Sequence, residues 1–136
     1  MILLVTISVN FLLTPLDFVP FWFEKQNIRT NVASNNIYNG SYIESIDYDA
    51  SKAGVVSLTH NFAKNYAPNI RVNSVAPGWI DTDMTSNIDS TFKNEETSKI
   101  LLRRFACKKE IADAIFFLAS NSYINDTVLK IDGGIK

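Results

Sequence analysis

The segment IRVNSVA, residues 70–76, ends at Pro77 and Gly78 and lies between two stretches whose apolar residues recur at helical spacing. A short apolar run bounded by turn residues and flanked by helices fits a buried strand of a parallel sheet, because parallel strands are joined by helical crossovers. Upstream, NIRTNVAS at residues 27–34 alternates as a strand with Ile28 and Val32 on one side, then enters the turn-rich NNIYNGS. Between these strands the positions Val55, Leu58, Phe62 and Tyr66 predict a helix from about Tyr48 to Tyr66, with Asp47 able to cap its start and Pro68 closing it. Downstream, residues 81–99 are polar with little periodicity and predict a mobile lid or a short helix. A further helix beginning near Glu110 carries Ile111, Ala114, Ile115 and Leu118 on one face, and Thr127–Ile131 reads as a third strand before Asp132, Gly133 and Gly134. Strand, helix, strand, helix, strand predicts an α/β fold: a parallel sheet in chain order, with right-handed crossovers and helices on its faces.

A chain of 136 residues is expected to form a single domain, residues 1–136. The net charge of −1, with 20% charged residues and no basic stripe, gives no reason to expect a nucleic-acid partner. Cys107 alone cannot form an internal disulfide, and with His60 the only histidine no metal site is expected. The opening MILLVTISVNFLLTPLDFVPFWF is apolar enough to suggest a signal or a membrane span. It lacks a positive start, however, and Asn10, Pro15, Asp17 and Pro20 suit a span poorly, so a buried core helix, no membrane association and a cytoplasmic location are expected. The sequons at Asn39 and Asn125 would matter only in a secreted protein.

In open parallel sheets ligands bind beyond the carboxyl ends of the strands. Ser34 and the Pro77/Gly78 turn stand at two such ends, and the connecting helix starts with Tyr48 and Lys52 one turn apart, so all are expected to face one crevice. A free tyrosine is too weak an acid to work at neutral pH, but a neighbouring ammonium stabilises the phenolate. A serine across the crevice can donate to a substrate oxygen whose charge changes during reaction. These residue types suit proton transfer at a carbonyl or alcohol. The spacing by itself equally allows a surface tyrosine and lysine with a serine in a turn.

The runs YDASKAGV, IRVNSVAPGWIDTDM, RRFACKKEIADAIFFLAS and the terminal IDGG, in that order and spacing, resemble the short-chain dehydrogenase/reductase family from about Val9 to Gly134. The texture of IDTDM and IDGG is most similar to its 3-oxoacyl-acyl-carrier-protein reductase branch. The resemblance implies that Tyr48 is the catalytic acid/base, that Lys52 strengthens it as an acid and binds the nicotinamide ribose, and that Ser34 orients the carbonyl, with Ser41 as the fallback for that serine. It implies that Asn10, in ISVNF, anchors a proton-relay water. Pro77, Gly78, Ile80 and Thr82 match the loop that holds the nicotinamide end of NAD or NADP, together with Tyr48 and Lys52.

The family's opening strand and glycine-rich phosphate turn have no counterpart, because the only glycines are Gly40, Gly54, Gly78, Gly133 and Gly134. The expected fold is therefore a partial Rossmann-like, doubly wound parallel sheet lacking the glycine-rich N-terminal half. Its first strand should be an open edge. Asn125 and Asp126 stand where relatives commonly carry a glycine, which predicts strain in that turn. Two functions follow as expectations. One is an NAD(P)-dependent oxidoreductase acting on a small carbonyl or alcohol, including acyl-carrier-protein-linked ones, truncated and inactive alone, and a homo-oligomer. The alternative is a non-enzymatic remnant serving as an interaction module.

Overall fold

The computed structural model describes residues 28–39 and 42–135. Asn10 and Ser41, both singled out in the sequence, lie outside them. Strands β1 (Ile28–Val32), β2 (Arg71–Pro77) and β5 (Val128–Ile131) form a sheet in the order β1-β2-β5, so the three main strands do follow chain order. Both pairings are parallel, with Val32 opposite Val75 and Pro77 opposite Ile131. Among the described residues β1 pairs with β2 alone, leaving its other edge open.

Every residue of β2 from Val72 to Pro77 is buried, which requires cover on both faces, and α2 (Ile46–Tyr66) and α4 (Lys108–Ser120) both pack on this strand. Such strands are usually continuous apolar runs, and Asn73 and Ser74 break that pattern. They are tolerated because they are hydrogen-bonded: Asn73 Nδ2 donates to the Ile124 carbonyl at 3.1 Å, its Oδ1 accepts from Thr127 N at 3.0 Å, and Ser74 Oγ donates to the Asn31 carbonyl at 3.2 Å.

Helix α2 corrects two expectations. It begins before Tyr48, with Ser45 at the cap, and Asp47 lies inside the first turn, where its carboxylate accepts from Tyr48 N at 2.8 Å. Its fully buried residues are Thr59 and Ala63, whereas Leu58 and Tyr66, on the stripe expected to form the core, are 47% and 45% exposed. Small side chains let the helix approach β2 closely, and the Thr59 hydroxyl is satisfied within the helix by the Val55 carbonyl at 2.8 Å and by Asn31 Nδ2 at 2.8 Å. A hydrophobicity pattern misses this face because neither residue is strongly apolar.

The turn-rich segment after β1 contains one turn of helix, α1 (Asn36–Asn39), and the polar region 81–99 holds α3 (Ser90–Lys99). Asp89 caps α3, accepting from Thr91 N at 2.8 Å and Phe92 N at 3.1 Å, and these bonds hold its carboxyl below the usual range. Two short strands absent from the sequence reading, β3 (Ile80–Asp81) and β4 (Ala106–Cys107), pair in parallel beside the main sheet. The guanidinium of Arg71 ties the far end of α4 to β2, donating to the carbonyls of Leu118, Ala119 and Ile124 at 2.7 to 3.1 Å. At the same end, Asp126 adopts a left-handed φ of 63°, in the turn where strain is expected, and its carboxylate meets His60 Nδ1 at 2.5 Å. No helix of the described residues is long and apolar enough to cross a membrane.

Candidate active site

Beyond Val32 the chain stays bonded to β2: Ala33 N donates to the Val75 carbonyl at 2.8 Å and Asn35 N to the Pro77 carbonyl at 2.9 Å. Ser34 is thereby held between two anchored neighbours at the carboxyl end of β1 and is 6% exposed. Its Oγ accepts from Asn36 N at 3.3 Å, which leaves the hydroxyl proton for another acceptor.

Helix α2 brings Lys52 to this strand end. Its Nζ donates to the Val32 carbonyl at 3.1 Å and lies 5.5 Å from the centre of the Tyr48 ring. Burial lowers the Lys52 pKa from its ordinary value. Tyr48 is 43% exposed, and its hydroxyl has no hydrogen-bond partner among the described residues. One residue on, Asp49 locks the approach of α2 to the β1 loop: Oδ1 accepts from Asn36 Nδ2 at 3.0 Å and Oδ2 from Ser45 Oγ at 2.9 Å. Asn36, Ser45 and Asp49 were not picked out in the sequence, and only the position of Asn36 two residues after Ser34 hints at them.

The second wall is the end of β2. Gly78 N donates to the Ile131 carbonyl at 2.9 Å, and a Cβ at Gly78 would stand 2.8 Å from the Asp132 Cβ. Glycine is required here by close approach. Asp132 accepts from Gly134 N at 3.0 Å and pairs with Lys130 at 2.9 Å; burial raises its carboxyl, but these partners outweigh that and leave it below the usual range. Ile80 then enters β3, and Thr82 starts a tight turn in which Thr85 Oγ1 accepts from Thr82 N at 2.8 Å and donates to the Ile80 carbonyl at 2.9 Å.

The structure thus brings Lys52, Tyr48 and the Ser34 segment together at the end of β1, and joins that end through Asn35 to Pro77 and Gly78. The donor set fits the nicotinamide-ribose part of a dinucleotide: among the described residues Lys52 Nζ makes one protein hydrogen bond, so two of its N–H groups remain for ribose hydroxyls, and the part-exposed Tyr48 ring lies 5.5 Å from it. It does not fit the pyrophosphate, because the sequence contains no clustered glycines ahead of a helix.

Comparison with known proteins bears on the family of the chain. The profile of a family described as Enoyl-(Acyl carrier protein) reductase matches residues 24–136. The 3-oxoacyl-acyl-carrier-protein reductase of Aquifex aeolicus is 33% identical over 137 aligned residues, covering 98% of this chain and 55% of that protein. That of Thermotoga maritima is 47% identical over 92 residues, 65% of this chain and 37% of its own length. Among solved structures, a 3-hydroxyacyl-CoA dehydrogenase type-2 from Mycobacterium avium superposes with a TM-score of 0.76 at 33% identity, over 81% of this chain and 43% of that one. A short-chain dehydrogenase/reductase from Brucella melitensis gives 0.75 at 34% identity, over 82% and 46%. The chain therefore spans about half or less of the length of the relatives it matches. With a family profile matching residues 24–136 and a relative 33% identical over 98% of its length, the chain belongs to the short-chain dehydrogenase/reductase family.

Proposed function

We propose that the chain carries the acid/base and nicotinamide-facing portion of an NAD(P)-dependent carbonyl/alcohol oxidoreductase of the 3-oxoacyl-acyl-carrier-protein reductase kind, working in the cytoplasm. The observation that carries this reading is the position of Lys52 Nζ, 3.1 Å from the Val32 carbonyl and 5.5 Å from the Tyr48 ring centre, at the strand end that also presents Ser34. Ser34 donates to the substrate carbonyl oxygen and orients it. Tyr48 gives its hydroxyl proton to that oxygen as the alcohol forms, and the Lys52 ammonium stabilises the phenolate left behind while holding ribose hydroxyls. NADH or NADPH, when bound, supplies the hydride to the carbonyl carbon. Pro77, Gly78, Ile80 and Thr82 form the wall against the nicotinamide.

Asn10, and Ser41 as the alternative serine, lie outside the described residues. Their proposed roles, a relay-water anchor and a carbonyl donor, rest on the family pattern. The edge of β1 left unpaired among the described residues, and the exposed Leu58 and Tyr66 on α2, support self-association as a homo-oligomer. A stable monomer in size-exclusion chromatography would contradict that.

The lack of a glycine-rich turn in the sequence supports a second reading, a pseudoenzyme that keeps the fold as an interaction module. A spectrophotometric assay of NAD(P)H oxidation with 3-oxoacyl and simple ketone substrates separates the two. The 136-residue chain should give no detectable turnover, and joining it to a glycine-rich βαβαβ segment from a relative should produce turnover. A fusion that binds NAD(P)H yet never turns over would favour the pseudoenzyme.

A further inference from the structure

The polar region between residues 81 and 99 contains a buried carboxylate. Glu96 in α3 is 3% exposed. Its Oε2 accepts from Trp79 Nε1 at 3.1 Å and its Oε1 from Lys99 Nζ at 2.5 Å. The same ammonium lies 3.4 Å from the Tyr42 hydroxyl and 5.5 Å from the centre of that ring. Trp79, the residue after Gly78, is stacked on Phe105 at 5.4 Å and 12°, and packs edge-on with Phe92 at 5.8 Å and 84°. One side of α3, formed by Phe92, Glu96 and Lys99, is thus fitted both to the Pro77–Thr82 segment and to the loop leading into α2.

Cover alone does not explain a glutamate there. A buried charge is tolerated only when its oxygens are satisfied, and an apolar side chain would fill the same space without that requirement. Here each oxygen holds a different part of the molecule. Burial pushes the Glu96 carboxyl up, but the Lys99 ammonium, the nearby Tyr42 hydroxyl and the Trp79 N–H outweigh it and hold the group below its usual range, so it stays ionised. Tyr42 is shifted the other way, raised first by burial and then by the Glu96 carboxylate.

We infer that Glu96 is a positioning residue: one carboxylate oxygen fixes the Trp79 indole, the other holds Tyr42 through Lys99, and α3 is thereby clamped both to the segment after β2 and to the loop leading into α2, ordering the Trp79–Thr82 segment. Its purpose rests on the cofactor reading above; the clamp itself does not.

The test uses the full chain with Trp22→Phe, so that Trp79 is the only indole. Glu96→Gln keeps the shape of the side chain but can no longer accept from both Trp79 and Lys99. It should raise acrylamide quenching of Trp79 by about two-fold or more with a red-shifted emission, while Tyr42→Phe, which leaves the Trp79 contact intact, changes quenching little. Far-UV circular dichroism checks that each variant folds, and Lys99→Met, which leaves Glu96 without its cation, should loosen Trp79 to a smaller degree. Unchanged quenching in a folded Glu96→Gln chain would overturn the clamp. In a second arm, reduced nicotinamide mononucleotide, whose absorption overlaps indole emission, is titrated into both chains. Emission should fall in the parent, and the Gln variant should need about five-fold more ligand. Equal affinity despite a loosened indole would reduce Glu96 to a packing residue and overturn the positioning role. A parent indifferent to the mononucleotide, with the Gln variant still loosened, would overturn the nicotinamide assignment and leave the clamp standing.

Discussion

The ammonium of Lys52 reaches the carbonyl of Val32 at 3.1 Å, so the second turn of α2 is fastened to the last residue of β1. Replacing Lys52 with Met removes that bond but also removes the cost of partly burying a cation, and the net change in stability near neutral pH should stay within about 1 kcal/mol. The pH dependence is more telling. The folded chain binds the Lys52 proton less tightly than the unfolded one, so unfolding takes up protons and the native chain gains stability as pH rises through the lowered pKa toward the ordinary lysine range. Urea melts at about pH 8 and about pH 10 should show that gain relative to the Met variant, and its absence would contradict the buried placement of the ammonium.

Two glycines should respond in opposite directions to the same substitution. Gly78→Ala sets a methyl 2.8 Å from the Asp132 Cβ and 3.0 Å from its Cα, and should cost about 1 to 3 kcal/mol because the strand ends must separate. Gly54→Ala in α2 meets nothing within 4 Å and should stabilise the chain by up to about 1 kcal/mol through helix propensity. Chemical denaturation reads both.

Acid should act through the start of α4. Arg104 donates to both oxygens of Glu110, at 2.8 and 2.6 Å, and Cys107 N adds a bond at 2.8 Å. The Arg104 guanidinium first, and then the Cys107 backbone N–H, lower the Glu110 pKa to about 2. A carboxyl depressed in the folded state stabilises above its ordinary range and loses that contribution as pH falls through the folded value. The advantage of the native chain over Glu110→Gln should therefore shrink between the ordinary carboxylate range and about pH 2, and should weaken with added salt because the pair is exposed. A constant difference across that interval would contradict the pairing.

The three main strands were legible in the sequence because each is a short β-rich run ended by turn residues, and β2 in particular is closed by Pro77 and Gly78. Helix α4 was legible because Ile111 and Leu118, on its apolar stripe, are the residues it buries. The buried face of α2 was not, since Thr59 and Ala63 carry little hydrophobic signal while the exposed Leu58 and Tyr66 carry much. The inner face of α3 was hidden for a related reason: its most buried residue is the charged Glu96, whose partners Trp79 and Tyr42 come from distant parts of the chain. Strands of two residues, such as β3 and β4, are too short to produce a periodic pattern. At the candidate site, the motifs placed Tyr48 and Lys52 at the start of a helix and Pro77 and Gly78 at a strand end, where the fold has them, whereas the Asp49 link from Asn36 to Ser45 exists only in the folded chain.

Tyr48 is proposed as the proton donor of a carbonyl reduction. The test is the rate of NAD(P)H oxidation by the chain fused to the part of the Aquifex aeolicus relative that lies outside the match, with and without Tyr48→Phe, using a 3-oxoacyl substrate. The phenylalanine keeps the ring beside Lys52 and removes only the hydroxyl, so kcat should fall by about 10²- to 10⁴-fold with cofactor affinity little changed. A fused enzyme whose turnover survives Tyr48→Phe undiminished would contradict the account.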